Sequence, residues 1–321
     1  RGTRLRWGIR IPSGLTKLRA WRAEMKTNSE IEDVDALAFD LKNLCRRCNE
    51  GSFATQVNRD DMLQLMAREL KAAGFHLPSA RSLKPKHVWA LVLRWQSLEL
   101  SDGTIANRLA AVRWWAEKAN KASVVLRTNE DYGVRASHGA FTDKARKLDR
   151  DKVDKLTDPH VRMSVEAQAL FGLRREEAIK FNPSYADKGD RIALKGSWCK
   201  GGKAREILIT HAKQRDWLNR AHLLCGKGAL IPPERNYVEQ LAVYEYQTVK
   251  AGLRNNHGLR HGWAQWRYKQ LTNGMDAPAR GGIDPKTLSG SLRARDLDAR
   301  RALTRELGHE RISVTAVYLG G

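Results

Sequence analysis

Apolar residues recur at helical spacing in the first third of the chain. The first run is made up of Ile31, Val34, Leu37, Leu41 and Leu44. Because a helix turns about every 3.6 residues, positions three or four apart share one face, and that face is expected to pack against a neighbour. Three further runs of this kind begin after Asn58, a predicted N-cap, at Pro85 and at Ser101. These runs predict a four-helix bundle.

The pattern changes after the bundle. A stretch rich in charge and containing glycine, residues 128–157, predicts a basic linker. Asp158-Pro159 then fits the beginning of a helix, because proline is well tolerated in the first turn. Short apolar runs at residues 191–196 and 205–210 flank a Gly-Gly turn, which predicts a β-hairpin. The hairpin is expected to lie within a mostly helical second domain.

Together the patterns predict a mainly α chain with a small β-hairpin. The predicted parts are a basic N-terminal arm, a helical domain, a basic linker and an α+β domain, at residues 1–29, 30–127, 128–157 and 158–321. The sequence contains no internal repeat and no low-complexity tract.

The charge balance indicates a polyanionic partner. The 321 residues include 58 Lys and Arg against 36 Asp and Glu, a formal net charge of +22. A charge this far from zero indicates what the protein binds. The commonest such partner is nucleic acid, ahead of an anionic membrane. The first 23 residues hold seven Lys and Arg and no acid. This arm is predicted either to contact phosphates non-specifically or to be a solvated tail.

Other sequence features argue against several classes of protein. No apolar run approaches the roughly 18 residues that a membrane helix needs, and no apolar segment follows the basic N-terminus as in a secretory signal. A cytoplasmic, nucleoid-associated protein is therefore expected. Cys45 and Cys48 form one CxxC pair without a second pair or a nearby histidine, which favours two helix cysteines over a zinc site. Paired carboxylates of the two-metal type are missing, so neither a metal nor a cofactor is predicted.

Four motifs in the second half of the chain carry the candidate chemistry. In chain order they are GLRREE with Arg174, KGGKARE with Lys200, HGLRH with His257 and Arg260, and LGHERISVTAVY with His309 and Tyr318. In this order they resemble the tyrosine recombinase/integrase family, of the phage or mobile-element type. The resemblance covers roughly residues 30–321, because the helical bundle is similar to the family's core-binding domain and the second domain to its catalytic domain.

The cations fit the demands of phosphodiester cleavage. A phosphodiester under attack concentrates negative charge on its non-bridging oxygens, and a planar guanidinium can bind two oxygens together. The resemblance assigns this role to Arg174 and Arg260, with Glu177 as the acidic residue that orients the cations. It assigns protonation of the departing 5′-oxygen to Lys200, and Lys203 is the competing candidate for that step. The predicted DNA contacts outside the catalytic set are Arg108, Arg113 and Lys203.

The remaining motif residues supply a nucleophile and its proton acceptor. A phenol has a pKa of about 10, so an attacking tyrosine needs cations and a base close by. The resemblance makes Tyr318 the nucleophile and His257 the residue that contacts the phosphate and assists proton transfer. By the same resemblance His309 donates a hydrogen bond to a non-bridging oxygen. His261 is expected to pack behind the site.

The resemblance implies a site-specific DNA recombinase or integrase. Such an enzyme forms a 3′-phosphotyrosine intermediate and exchanges strands through a Holliday junction. It acts as a homo-tetramer on double-stranded DNA attachment sites, with accessory DNA-bending proteins as further partners. The alternatives are a type IB topoisomerase, which nicks and reseals one duplex with a similar set of residues, and a DNA-binding module whose site is inactive.

Two features depart from the family's pattern. Residues 272–297 form an apparent insertion, expected to be either a DNA- or partner-contacting loop or a tolerated surface excursion. Three residues follow Tyr318 in this sequence, where many relatives continue into a tail helix that docks on a neighbouring subunit. Assembly is therefore expected to use either such a tail or another surface.

Overall fold

A computed structural model describes residues 35–135 and 143–321 of the chain. The chain divides into two units, with the boundary between residues 138 and 139. The predicted basic arm, residues 1–29, lies outside the described residues, as do the first two positions of the first apolar run. Within the described residues the fold is mainly helical with one two-stranded sheet, which confirms the predicted fold class.

Four long helices make up most of the described part of the first unit. They are α1 (Ala36–Arg47), α2 (Phe53–Ala72), α3 (Pro85–Ser97) and α4 (Asp102–Lys118). Asp35, Ser52 and Ser101 cap three of them, because each side-chain oxygen accepts a hydrogen bond from a backbone N–H of the first turn. The predicted start of α2 after Asn58 is therefore wrong, since Ser52 caps this helix further upstream.

The core of the first unit holds two fully buried tryptophans. Trp95 donates its indole N–H to Glu69 at 2.7 Å, and Trp115 donates to a backbone oxygen at 2.9 Å. A buried polar group costs stability unless it is paired. Glu69, which is 5% exposed, also faces the guanidinium groups of Arg94 and Arg108. The bundle core therefore contains a paired carboxylate among its apolar side chains.

The second unit is a helical frame with one hairpin. In chain order its helices and strands are α5 (Arg150–Val153), α6 (Pro159–Phe171), α7 (Arg175–Ile179), α8 (Pro183–Ala186), β1 (Arg191–Leu194), β2 (Arg205–Leu208), α9 (Ala212–Cys225), α10 (Tyr237–Lys250), α11 (His257–Leu271), α12 (Gly290–Glu306) and α13 (Ile312–Leu319). The strands run antiparallel, with Arg191 opposite Leu208 and Leu194 opposite Arg205. The predicted β-hairpin is thus present.

A glycine sets the close approach of α6 to α11, which pack against each other. Gly172 directly follows α6 with a φ of 63°, in the left-handed region that favours glycine. A Cβ at this position would lie 2.4 Å from the Trp263 ring. Gly172 therefore lets α6 end against α11, which brings the next residues, Leu173 and Arg174, close to that helix.

The region predicted as a linker, residues 128–157, divides between the two units. Its first part packs in the first unit, where Tyr132 is 2% exposed. In the second unit the backbone N–H of Arg146 donates to the carbonyl of Gly258 at 2.9 Å. A Cβ at Gly262 would lie 2.5 Å from the Arg146 carbonyl oxygen. Because two glycines of α11 let this segment lie against the helix, its described residues are packed structure rather than a free linker.

The predicted insertion, residues 272–297, packs against the end of α13. It contains a 3₁₀ turn, Pro278–Arg280, and the beginning of α12. A Cβ at Gly320, directly after α13, would lie 2.7 Å from the backbone nitrogen of Ala279, and a Cβ at Gly321 would lie 2.6 Å from Cδ of Pro285. The stretch therefore supports the C-terminal end of α13.

Candidate active site

A tyrosine hydroxyl lies between a guanidinium and an imidazole near the end of the chain. Tyr318 belongs to α13 and is 7% exposed. Its hydroxyl oxygen is 3.4 Å from Nε of Arg260 and 3.4 Å from Nε2 of His257. The phenol ring stacks on His261 and on His309, with ring centroids 4.3 Å and 5.2 Å apart. The ring is therefore fixed and its hydroxyl is directed at two polar groups.

Arg260 joins three of the four motifs. It lies in the first turn of α11 and is completely buried. Its two terminal nitrogens donate to the carbonyls of Gly172 and Leu307, both at 2.5 Å, and Nη2 is 3.5 Å from Nε2 of His309. Burial lowers the pKa of Arg260 to about 10, which leaves the side chain a cation at neutral pH. A fixed positive charge therefore lies beside Tyr318.

A buried carboxylate, Glu177, organises the other cations. It accepts hydrogen bonds from the backbone N–H of Arg174 at 2.7 Å and from the Arg174 guanidinium at 2.8 Å. Arg205 pairs with both of its oxygens, at 2.8 and 2.6 Å. Burial would raise the pKa of Glu177, but hydrogen bonding and charge from Arg205, with the charge of Arg260, lower it to about 2. Glu177 is therefore an anion, and it holds Arg174 while leaving that side chain 22% exposed.

Arg205 is a further residue of the site, one to which the sequence motifs give no role. It is the first residue of β2; its Nε donates to the carbonyl of Glu306 at 2.8 Å, and its Nη1 is 3.2 Å from the sulfur of Cys199. The signal that could have marked it is its place inside the KGGKARE motif. A single arginine in a strongly basic chain is, however, most often a solvated surface residue. The structure buries this one in the middle of the candidate site.

The histidines around Tyr318 are neutral at neutral pH. Burial, followed by the charges of neighbouring arginines, lowers the pKa of His257 below its usual value. Burial also lowers the pKa of His261 and of His309, each to about 4. A neutral imidazole can accept a proton. His257 therefore has both the distance and the charge state to take a proton from the Tyr318 hydroxyl.

These shifts predict a loss of stability in acid. A histidine with a pKa of about 4 in the folded chain and about 6.5 in the unfolded chain takes up protons only in the unfolded state between these values. The free energy of unfolding should therefore fall as the pH drops from about 6.5 to 4, by up to roughly 1.4 kcal/mol per pH unit for each such histidine. Denaturant titration of the DNA-free protein at several pH values measures this dependence.

The matched variants for this measurement are His261→Phe and His76→Phe. The first keeps an aromatic ring against Tyr318 but removes one titrating group, so its stability should fall less steeply with acid than that of the wild type. The second changes an exposed histidine outside the cluster and serves as the comparison for a histidine-to-phenylalanine change. Equal slopes in the wild type and in His261→Phe would contradict the neutral, buried state of His261.

The hairpin connection carries two candidate lysines with different surroundings. Lys200 is exposed in a 3₁₀ turn, Lys200–Gly202, and its side chain makes no hydrogen bond or ion pair to any residue that the structure describes. Lys203 forms an ion pair with Glu310, which directly follows His309. Of the two, Lys200 is the one that is free to move towards a bound strand.

The structure gathers six of the predicted site residues and leaves others apart. One cluster of hydrogen bonds and ion pairs contains Arg174, Glu177, His257, Arg260, His309 and Tyr318. Lys200 lies on the hairpin outside this cluster. Arg108 and Arg113 lie in the first unit, where Arg108 is 3.5 Å from Glu69 and Arg113 donates to the side chain of Asn129 at 2.8 Å. Both arginines thus face protein groups, and their contact with DNA stays a prediction.

A cleft beside the cluster adds cations from the segment predicted as a linker. It has a volume of about 580 Å³, and His257, His261, Lys144 and Arg146 are among its lining residues. The charge of Lys144 contributes to the lowered pKa of both histidines. A phosphate backbone that entered this cleft would meet two cations close to Tyr318.

Two further searches covered the residues that the structure describes. Among them, no group of three or more histidine, cysteine or carboxylate side chains is arranged to hold a metal ion. No helix in residues 35–135 or 143–321 is long and apolar enough to cross a membrane. Cys45 and Cys48 are free, partly buried thiols at the end of α1.

Two family models match consecutive parts of the chain. A model described as phage integrase, N-terminal, matches residues 34–125, and a model described as integrase matches residues 132–266. The first match covers the helical bundle, and the second extends through the HGLRH motif. Among curated proteins, none matches the sequence significantly.

Solved structures of similar fold include complexes with DNA. The Tn1549 transposon integrase in complex with circular intermediate DNA is 14% identical, with a TM-score of 0.53, over 88% of this chain and 95% of that one. The XerH site-specific recombinase bound to palindromic difH substrate is 14% identical, with a TM-score of 0.54, over 94% and 89%. A lambda integrase tetramer bound to a Holliday junction is 14% identical, with a TM-score of 0.55, over 98% and 90%. At this identity the likeness is one of fold.

Proposed function

The chain belongs to the tyrosine recombinase/integrase family, and on that basis we propose that it is a site-specific DNA recombinase that cleaves and rejoins strands through a 3′-phosphotyrosine at Tyr318. The observation that carries this proposal is the position of the Tyr318 hydroxyl, 3.4 Å from both Arg260 and His257. A nucleophilic tyrosine requires a cation beside the developing charge and a base for its proton, and this position supplies both.

In the cleavage step the Tyr318 oxygen attacks phosphorus, and the bond from phosphorus to the 5′-oxygen breaks. The phenolic proton passes to Nε2 of His257, which can accept it because its lowered pKa keeps it neutral. Lys200 gives a proton to the departing oxygen, so that a 5′-hydroxyl is released. The products are a 3′-phosphotyrosyl bond and a strand with a free 5′-hydroxyl.

The non-bridging oxygens are bound by Arg174 and Arg260, with a further hydrogen bond from His309. The 3.4 Å separations around the Tyr318 hydroxyl are longer than the roughly 2.7 Å of a short O–H hydrogen bond. Catalytic contacts of this kind are often loose without substrate and tighten when it binds. We infer that the scissile phosphate enters beside the hydroxyl and draws these groups together.

Strand joining is the reverse of the same reaction. A 5′-hydroxyl from a second strand attacks the phosphotyrosine and gives its proton to Lys200, which lost one in the cleavage step. The bond from phosphorus to Tyr318 breaks, and His257 returns the proton to the phenolate. The covalent intermediate conserves the energy of the broken bond, so resealing needs no ATP. When the second strand comes from another duplex, the exchange passes through a Holliday junction.

Double-stranded DNA is the partner that we propose for this site. A net charge of +22 supports it, because phosphate contacts by Lys and Arg release counterions and favour binding at low salt. We propose a homo-tetramer on DNA by analogy with the lambda integrase tetramer bound to a Holliday junction. Accessory DNA-bending proteins are the further partners expected for such an assembly.

The test of this function uses DNA that flanks the coding region, where an integrase often has an attachment site. The DNA sequences from the two flanks are joined to give one candidate site. Two plasmids that each carry this site are incubated with the protein, and the products are separated by gel electrophoresis. A recombinase should give recombinant plasmids and junction intermediates when both plasmids carry the site. Relaxation of a supercoiled plasmid that lacks the site, without recombinants, would overturn the proposal in favour of a type IB topoisomerase.

A further inference from the structure

We propose that Arg205 is a positioning residue that aligns the Lys200 hairpin with the phosphate-binding arginines, an inference that rests on the proposed recombinase function. The side chain of Arg205 is 5% exposed. Each of its three guanidinium nitrogens already donates to a protein acceptor. Arg205 is therefore placed to act through other residues rather than on DNA.

The Arg205 guanidinium contacts three parts of the site at once. Nη1 and Nη2 pair with the two oxygens of Glu177, at 2.8 and 2.6 Å, and that carboxylate also holds the first phosphate-binding arginine. Nε donates to the carbonyl of Glu306, at the end of α12. Nη1 is 3.2 Å from the sulfur of Cys199, which directly precedes Lys200. One side chain thus connects the beginning of α7, the end of α12 and the hairpin connection.

The backbone near Arg205 leaves this side chain little room to move. Arg205 is paired with Leu194 across the hairpin. A Cβ at Gly308 would lie 2.9 Å from Cδ of Arg205, so the chain that leads into His309 passes directly over the arginine. These two contacts hold Arg205 in place at the base of the hairpin.

Stability alone is a weak reason for this ion pair. Desolvation of two charges offsets much of their attraction, and an apolar pair of similar volume often fills such a space at little cost. An arginine instead fixes the positions of several acceptors at once, because its N–H groups lie in one plane. The turn that carries Lys200 contains Gly201 and Gly202, both at positive φ. We therefore infer that Arg205, at the base of the hairpin, sets the position of Lys200.

Protonation of the departing 5′-oxygen by Lys200 is the step that shows whether Arg205 acts on the position of Lys200 or on another part of the site. A substrate with sulfur in place of the bridging 5′-oxygen at the mapped cleavage site releases a thiol, with a pKa of about 8.5, and needs no proton from a lysine. Lys200→Ala should be slow on the oxygen substrate and restored on the sulfur substrate. Arg174→Lys should be slow on both, because it impairs phosphate binding. Lys200→Ala is therefore the reference for a defect in proton donation, and Arg174→Lys is the reference for a defect in phosphate binding.

Arg205→Lys keeps a cation beside Glu177 but loses the bidentate pairing. We expect its single-turnover cleavage of the oxygen substrate to slow by about 10²-fold, as a displacement of about 1 Å can cause. DNA affinity should stay the same, and the sulfur substrate should be cleaved at nearly the wild-type rate. Arg191→Lys changes a 40% exposed arginine of the same hairpin. This control should behave as the wild type on both substrates.

Slow cleavage of both substrates by Arg205→Lys, or wild-type rates on both, would overturn the proposal. If Arg205→Lys does not fold, as judged by thermal unfolding, Arg205→Gln replaces it, since glutamine can still donate a hydrogen bond to Glu177. Failure of both variants to fold would make Arg205 a structural residue and would overturn the proposal as well. Failure of the recombinase function gives a different result, because the wild type would then either form no covalent adduct with either substrate or relax plasmids without giving recombinants.

Discussion

Replacing Tyr318 with phenylalanine should abolish covalent attachment of the protein to DNA while leaving DNA binding intact. The change removes the oxygen that attacks phosphorus and nothing else. The ring keeps its stacking on His261 and His309. The hydrogen bonds that are lost are long, 3.4 Å each, so the free energy of unfolding should change by no more than about 1 kcal/mol.

The adduct is measured on a denaturing gel with an end-labelled duplex nicked close to the cleavage site, so that the released fragment diffuses away and the intermediate is trapped. Tyr246→Phe is the matched control, because Tyr246 lies in α10 and is 65% exposed. It should form the adduct at the wild-type rate. Persistence of the adduct in Tyr318→Phe would assign the nucleophile to another side chain.

The second large effect is expected at Arg260. Lysine keeps the positive charge but cannot donate from one plane to the carbonyls of Gly172 and Leu307 and to a phosphate oxygen. We expect Arg260→Lys to lower the single-turnover cleavage rate at saturating DNA by about 10²- to 10³-fold. Stability should fall by roughly 1–3 kcal/mol, because a buried carbonyl loses its donor. Rapid-quench kinetics and denaturant titration measure the two effects.

Arg267→Lys, on the same helix, is the control that distinguishes a loss of stability from a loss of cleavage rate. Arg267 is also buried in α11, but it pairs with Glu306 at distances of 2.7 to 3.2 Å, not with Tyr318. Its replacement should lower the stability and leave the cleavage rate nearly unchanged. An equal loss of rate in both variants would mean that Arg260 acts through the packing of α11 and not on the phosphate.

The helices could be predicted because their signals are local. Helical spacing of apolar residues and a capping side chain are contained in a few consecutive positions, as at Ser101 before α4. The hairpin around the Gly-Gly turn was predictable for the same reason. The wrong start at Asn58 shows the limit of such signals, since Ser52 is an equally good cap and lies nearer to the preceding turn. Two cap-type residues six positions apart leave the start of the helix open in the sequence.

Side-chain partners could not be predicted, because they come from distant parts of the sequence. Arg205 pairs with a carboxylate 28 positions away and a carbonyl 101 positions away, and folding alone brings them together. Arg108 belongs to the polar positions of an amphipathic pattern, yet in the structure it faces the buried Glu69. The motif residues were accessible to sequence analysis because the family resemblance marks them without any knowledge of their contacts.

The proposal that Tyr318 becomes linked to a DNA 3′-phosphate is best tested by identifying the linked residue. The trapped adduct is digested with nuclease and trypsin and examined by tandem mass spectrometry. We expect a nucleotide 3′-phosphate on the tryptic peptide that begins at Ile312, localised to Tyr318. Attachment at any other residue, or through a 5′-phosphate, would contradict it.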